Sequence, residues 1–426
     1  MLLKNIQQIK NTIECMTKTI AFGGCIVNLL SKIKIGENNE LNLFTLKAHT
    51  KNQIEFSFFE DKQSISIGKP KKIMLFGYAV DLLPKLKIGE ENETEVLLLD
   101  ATEREQVEYT LGFTHDKKEK ICVGKVSHME IYSWAANLVP RLKISEEMMM
   151  KRFILIVERK EHIKYILSEE IGSVVIGRPE NIELHGHAVN AFTRLKISED
   201  HVMERIVLSA HEETEVSELL SPWITGFGRA KALELADYAI GVLFCMEQSE
   251  DDVTEALDLR VNNETQTMKS FIENKTFYTE KILEITLHQY ALNLLPILIQ
   301  GNTVKRVLSM GADEEEQVRG LLGAQNTIDV GRVSEVKLVG YAIGVLPKLE
   351  TSEENVMNLL SLCGLHEEHF FTILQAQDNK IAIGGRVVKC KVSSKKEVRQ
   401  ELEKILVDGK GNPIPIEEIT NDLILD

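Results

Sequence analysis

Apolar and polar positions alternate in blocks along this chain, and one block returns seven times. Its clearest copy is Gly77-Tyr78-Ala79-Val80-Asp81-Leu82-Leu83-Pro84-Lys85-Leu86-Lys87-Ile88, an apolar run around one acidic residue, closed by a proline and two lysines. Near-copies begin at Gly24, Ser133, Gly186, Asp237, Gln289 and Gly340, so the gaps between starts are 53, 56, 53, 51, 52 and 51 residues. A period this regular marks a repeat protein, in which each unit hides its apolar face against the next.

The fourth unit shows the elements the pattern predicts. Ser173-Val174-Val175-Ile176 is a β-branched run that reads as a buried strand. Gly177-Arg178-Pro179 breaks it, and the spacing of Ile182, Val189, Phe192 and Leu195 predicts a helix over 181–195. A polar link at Ser198-Glu199-Asp200 leads to a second strand over 205–210, and an acidic helix is expected over 212–220. The second and seventh units repeat this order. The fifth is interrupted by Asn262-Asn263-Glu264-Thr265, and the sixth lacks the turn glycine. Alternating strands and helices imply an α/β fold with a mostly parallel sheet.

The expected organisation is therefore seven tandem βαβα repeats at 19–61, 62–117, 118–170, 171–222, 223–275, 276–325 and 326–378. A short amphipathic helix over 1–18, with Leu3, Ile6, Ile9, Ile13 and Met16 on one face, is expected to cap the first unit. At the other end Gly384-Gly385, between Ile381-Ala382-Ile383 and 387–392, reads as a hairpin signal. With the charged helix over 395–406 it forms an expected hairpin-helix cap over 379–407, and 408–426 reads as a loose tail. Pro84, Pro140, Pro296 and Pro347 share one repeat position, which predicts a kink or a helix that ends there.

Composition narrows the partners. The chain is 43% hydrophobic and 27% charged, which suits a globular protein with a large core and excludes a disordered one. Asp and Glu exceed Lys and Arg by 65 to 50, a net charge of -15 that repels polyanions and anionic membranes. The six cysteines form no CxxC pair and read as reduced thiols of a cytoplasmic protein. The stretch from Met1 to Ile20 is too polar for a signal peptide, and no apolar run is long enough to span a bilayer, so no membrane association is expected.

Five units place a basic residue after the glycine of the first turn: Gly68-Lys69, Gly124-Lys125, Gly177-Arg178, Gly228-Arg229 and Gly331-Arg332. Together with Tyr78-Ala79-Val80 and the strand Val96-Leu97-Leu98-Leu99 leading into Asp100-Ala101, this resembles the Alba superfamily of small nucleic-acid-binding proteins. The resemblance implies an Alba-like unit and nucleic-acid contact through Lys69, Lys125, Arg178, Arg229 and Arg332. The second basic element of that family is missing. Thr102-Glu103-Arg104-Glu105, His211-Glu212-Glu213 and Asp313-Glu314-Glu315-Glu316 stand in its place, and carboxylates there oppose a phosphate backbone.

Other candidate chemistry is thin. Cys363, His366 and His369 have spacing that suits three metal ligands, but no fourth is evident and the other units have no equivalent. Gly226-Phe227-Gly228 lacks the remaining glycine and the Lys-Ser/Thr of a phosphate loop. His185 and His187 read as packing and surface. No nucleophile–base pair stands out, and no cofactor or metal is expected. The sequence thus points to a non-catalytic tandem-repeat scaffold that binds proteins within a larger, cytoskeletal or other assembly. An RNA- or DNA-binding protein using the Gly-Lys/Arg turns is the alternative.

Overall fold

The computed structural model describes residues 13–54, 64–113, 120–198, 200–219, 229–244, 253–264, 282–299, 304–324, 326–375 and 380–418. The chain packs as two units, Met1–Arg229 and Ala230–Asp426. Both are mixed α/β structures dominated by parallel sheet.

In the first unit eight ladder strands run parallel: β1 (Thr19–Gly23), β2 (Leu43–Ala48), β3 (Lys72–Gly77), β4 (Glu93–Ala101), β5 (Lys125–Ser133), β6 (Met149–Val157), β7 (Arg178–Gly186) and β8 (Val202–Ala210). Each pairs with its sequence neighbours, so the sheet is laid down strand by strand. The register sets Ile20, Phe44, Ile73, Leu97, Met129, Phe153, Ile182 and Ile206 in one row. All eight are buried, as are Leu46, Leu75, Leu99, Ile131, Leu155, Leu184 and Leu208 two residues on. Each such side chain contributes about 1.5–3 kcal/mol by leaving water. Short and long steps alternate along this row. Ile20 to Phe44, Ile73 to Leu97, Met129 to Phe153 and Ile182 to Ile206 are short and equal, whereas Phe44 to Ile73, Leu97 to Met129 and Phe153 to Ile182 are longer.

The second unit follows the same plan with β9 (Arg229–Asp237), β10 (Ala256–Val261), β11 (Glu284–Gln289), β12 (Val304–Ala312), β13 (Ile328–Gly340), β14 (Leu359–Cys363), β15 (Cys390–Ser393) and β16 (Ile416–Glu418). Its row runs Leu233, Leu257, Ile285, Leu308, Val336, Leu360, Cys390 and Ile416, and it too steps short, then long, in turn. One short and one long step together make the sequence period.

The short steps after β3, β5, β7, β9, β11 and β13 share one construction. The strand ends on a residue with positive φ, as at Gly77 (62°), Gly186 (64°) and Gly340 (63°), and the chain turns into a 3-10 helix. Tyr78–Lys85, Trp134–Arg141 and Tyr341–Lys348 carry Pro84, Pro140 and Pro347 as their second-last residue. His187–Arg194 ends at the same place without a proline, and Pro296, expected at the same repeat position, instead lies in the first turn of the α-helix Leu295–Leu298, where a missing N–H costs nothing. A two-residue strand follows: Leu86–Lys87 pairs with Ile65–Ser66, Leu142–Lys143 with Ile121–Cys122, and Leu195–Lys196 with Val174–Val175.

A side chain in each of three short helices fastens the next step. Asn137 Oδ1 accepts from the Tyr165 N–H (2.9 Å) and its amide donates to the Glu161 carbonyl (3.2 Å). Asn190 treats Glu218 (2.8 Å) and Thr214 (3.0 Å) in the same way. In the corresponding place the Asp81 carboxylate accepts from the Thr110 and Tyr109 N–H groups.

Several expectations are corrected. The helix expected over 181–195 is strand as far as Gly186, then a 3-10 helix over His187–Arg194. Ile182 and Leu184 alternate with Asn181, Glu183 and His185, a period of two that the helical spacing masked. The expected hairpin around Gly384-Gly385 is absent. Ile381–Ile383 pairs in parallel with Leu406–Asp408, and Arg386–Val387 with Val356–Met357. Both glycines press against preceding backbone, at the Thr351 and Asn355 carbonyls, where a Cβ would not fit. The charged helix spans Lys396–Ile405, within its expected range. In the expected tail, Ile416–Glu418 continues the ladder beside β15. Of the expected capping helix, Ile13–Cys15 is a strand paired with Ile33–Ile35, and residues 1–12 lie outside the described residues. Among the described residues, no helix is long and apolar enough to cross a membrane.

Candidate functional site

The five basic candidates share one place, four residues before the buried Ile73, Met129, Ile182, Leu233 and Val336. They enter ladder strands rather than helices: Lys125, Arg178 and Arg229 open β5, β7 and β9, Lys69 opens a short strand just before β3, and Arg332 lies within β13. The glycines before Lys69, Lys125 and Arg178 have their own structural reason. At Gly124 (φ 72°) and Gly177 (φ 79°) an added Cβ would stand 2.6 Å from the Asn92 and Met148 carbonyls. Those carbonyls accept the next residue's N–H at 2.8 Å.

Carboxylates meet three of these cations. Lys125 Nζ lies 2.5 Å from Glu91, and the Glu91 hydrogen bond raises the lysine pKa. Arg178 bridges Glu147 (3.2 Å) and Asp200 (3.1 Å), and Arg332 pairs with Glu354. For Lys69 the position that corresponds to Glu91 is Asn38, and Lys69 shares a groove of about 400 Å³ with Glu37, Glu40, Lys71, Lys87 and Glu91. The side chain of Arg229 lies outside the described residues. A parallel row of pairs joins Lys87 to Glu37 (2.5 Å), Lys143 to Glu90 (2.5 Å) and Lys196 to Glu146 (2.6 Å). The signal for this ladder is in the sequence: Glu37, Glu90-Glu91 and Glu146-Glu147 recur at the repeat period.

The other surface of the first sheet carries the side chains between the buried rows. One outward row runs Met74, Leu98, Glu130, Ile154, Glu183 and Val207, and the next Phe76, Asp100, Tyr132, Ile156, His185 and Ser209. Met74, Phe76, Leu98, Tyr132 and Ile156 are half-buried, each with part of its surface open to water.

Charges on this face are unevenly matched. Arg152 grips Glu183 with two hydrogen bonds, Nε to Oε1 at 2.8 Å and Nη2 to Oε2 at 2.7 Å. The Tyr132 hydroxyl donates to Glu130 Oε2 at 3.2 Å. Burial and the Glu130 charge push the Tyr132 phenol up. Lys47 Nζ stands 4.6 Å from the Phe76 ring centroid. Asp100 has neither an ion pair nor a hydrogen bond donated to its carboxylate among the described residues, and burial alone raises its pKa. Sequence reasoning misses these residues because it places no strand over 72–77 or 125–133.

The remaining candidates separate. His369 is buried, with its ring 4.7 Å from Tyr341 and 5.4 Å from His366. Cys363 lies beside Ser361, and the described residues bring together no group of three metal-binding side chains. His185 is on the open face of the first sheet, whereas His187 is buried in the 3-10 helix. Gly226-Phe227-Gly228 lies outside the described residues. No protein-family model matches this chain, and no curated protein matches it.

Proposed function

We propose that the chain is a non-catalytic tandem-repeat scaffold that binds protein partners within a larger assembly of the cytoplasm or cytoskeleton. One contrast carries this reading. The row of basic residues expected to meet nucleic acid is matched by carboxylates at Lys125, Arg178 and Arg332, while the open face of the first sheet keeps apolar and aromatic side chains at the surface. A polyanion would have to displace those carboxylates, and a net charge of -15 opposes its approach. Half-buried aromatic and aliphatic side chains suit a protein partner.

On this reading the seven sequence repeats are seven short-plus-long pairs of turns, and the C-terminal region is an eighth, with β15 and β16 in the equivalent places. Steps of 23–32 residues, each with one ladder strand and, where described, a 3-10 or α-helical return, approach the turns of about 20–29 residues of leucine-rich-repeat arrays. Such arrays present one continuous strand surface to a partner.

Fluorescence anisotropy with labelled single-stranded RNA and duplex DNA, at low and physiological salt, tests the proposal. Binding is expected to be absent in both. Salt-sensitive binding that falls further in a Lys69→Ala, Lys125→Ala, Arg178→Ala variant would overturn the scaffold reading and establish the Alba-like one.

A further inference from the structure

We propose that the open face of the first sheet captures a lysine or arginine side chain of a partner polypeptide at Asp100, between the rings of Phe76 and Tyr132. This deepens the scaffold reading and rests on it.

The pairing register puts Phe76, Asp100 and Tyr132 directly beside one another on β3, β4 and β5. Adjacent strands lie about 4.8 Å apart, so the two aromatic residues stand about 10 Å apart with the carboxylate midway. A cation resting on Asp100 lies within about 6 Å of both rings, the range in which a ring face attracts an ammonium or guanidinium group. The molecule already uses this attraction on the far side of one ring, where Lys47 of β2 approaches Phe76 to 4.6 Å.

Charge on the face selects the ligand. Arg152 is committed to Glu183 and Glu130 accepts from Tyr132, so those acids are partnered. Asp100 is half-buried, and no counter-ion reaches it among the described residues. Burial without a partner costs a carboxylate free energy that an incoming cation recovers. Leu98 and Met74 lie alongside in the neighbouring row, and Ile156 adjoins Tyr132. The fitting partner is therefore an extended segment in which a basic residue is flanked by aliphatic ones.

The test uses the full chain and three short fluorescein-labelled peptides: alternating valine and lysine, the same with norleucine for lysine, and the same with glutamate for lysine. The lysine peptide is expected to bind with an affinity that falls as salt rises, and the other two at least tenfold more weakly. Asp100→Asn is expected to weaken the lysine peptide at least tenfold while leaving the unfolding midpoint unchanged or raised. Phe76→Leu keeps an apolar side chain and is expected to weaken binding several-fold. Glu183→Gln should stay within twofold of the unaltered chain. Failure of the lysine peptide to bind at millimolar concentration overturns the assignment, as does equal binding by Asp100→Asn or by the norleucine peptide. If any of these results comes with no RNA or DNA binding, only the Asp100 site falls. Salt-sensitive nucleic-acid binding through Lys69, Lys125 and Arg178 removes the scaffold reading itself.

Discussion

Replacing Asp81 by asparagine should stabilise this protein at neutral pH. Asp81 is only 4% exposed. Its two oxygens accept from the Thr110 N–H at 2.9 Å and the Tyr109 N–H at 3.2 Å. Those bonds favour the charged form, but burial opposes it more strongly and lifts the carboxyl from 3.8 to about 6. A rise of about two units, at about 1.4 kcal/mol each, sets an upper bound of about 3 kcal/mol on the cost of ionising it in place. The folded protein therefore holds a proton that the unfolded chain releases between about pH 4 and 6. Stability is fully present below that window and declines as pH rises through it. Asparagine carries no charge. As Asn137 and Asn190 do, it can give its amide to a backbone carbonyl of the next turn, here that of Glu105. Asp81→Asn is expected to gain about 1–3 kcal/mol at pH 7.5 and almost nothing at pH 4. Urea unfolding followed by circular dichroism at both pH values measures the difference, with hydrogen exchange at Tyr109 and Thr110 as the local readout. A variant that is less stable at pH 7.5, or equally shifted at both pH values, would show that the two N–H bonds outweigh desolvation.

Three further outcomes follow from the packing. Gly177→Ala imposes a side chain at φ 79° and 2.6 Å from the Met148 carbonyl, and should cost about 1–3 kcal/mol in urea unfolding. Asn190→Ala leaves the Glu218 N–H and the Thr214 carbonyl without their partner and should cost about 2–4 kcal/mol, with faster exchange at the Glu218 amide. Glu90→Gln removes an exposed ion pair with Lys143 and should leave the thermal midpoint where it is, because water screens such pairs.

The α/β class was legible because it depends on apolar side chains returning at a fixed interval. The second strand expected in the fourth unit, 205–210, lies within β8 for the same reason: Ile206 and Leu208 alternate with exposed or half-buried positions. The first ladder strand of each pair was hidden. In β7 Ile182 stands at helical spacing from Val189, Phe192 and Leu195, so the strand reads as the start of the helix that follows it. The strand-ending positive φ at Ser133, Asp237 and Gln289 had no glycine to announce it. The basic row was legible as residues but not as a surface, since pairing Lys125 with Glu91 or Arg178 with Asp200 requires knowing which turns are neighbours. The same holds for Phe76, Asp100 and Tyr132, each a full turn from the next along the chain and side by side in the sheet.

The alternation of short and long steps constrains how a gene for this protein can lengthen or shrink. Duplicating one short turn would set two strands with positive-φ ends next to each other. It would also leave one inward asparagine, such as Asn137, facing the 3-10 helix of a second short step in place of the backbone groups of Glu161 and Tyr165 in the long step. Duplicating a whole short-plus-long pair restores every contact across the new junction. Heritable growth is therefore quantised in pairs. Single-residue insertions should collect in the long steps, which already differ in length where neighbouring pairs meet, Leu97 to Met129 being longer than Phe44 to Ile73. The short steps from Ile20 to Phe44 and from Ile73 to Leu97 are equal.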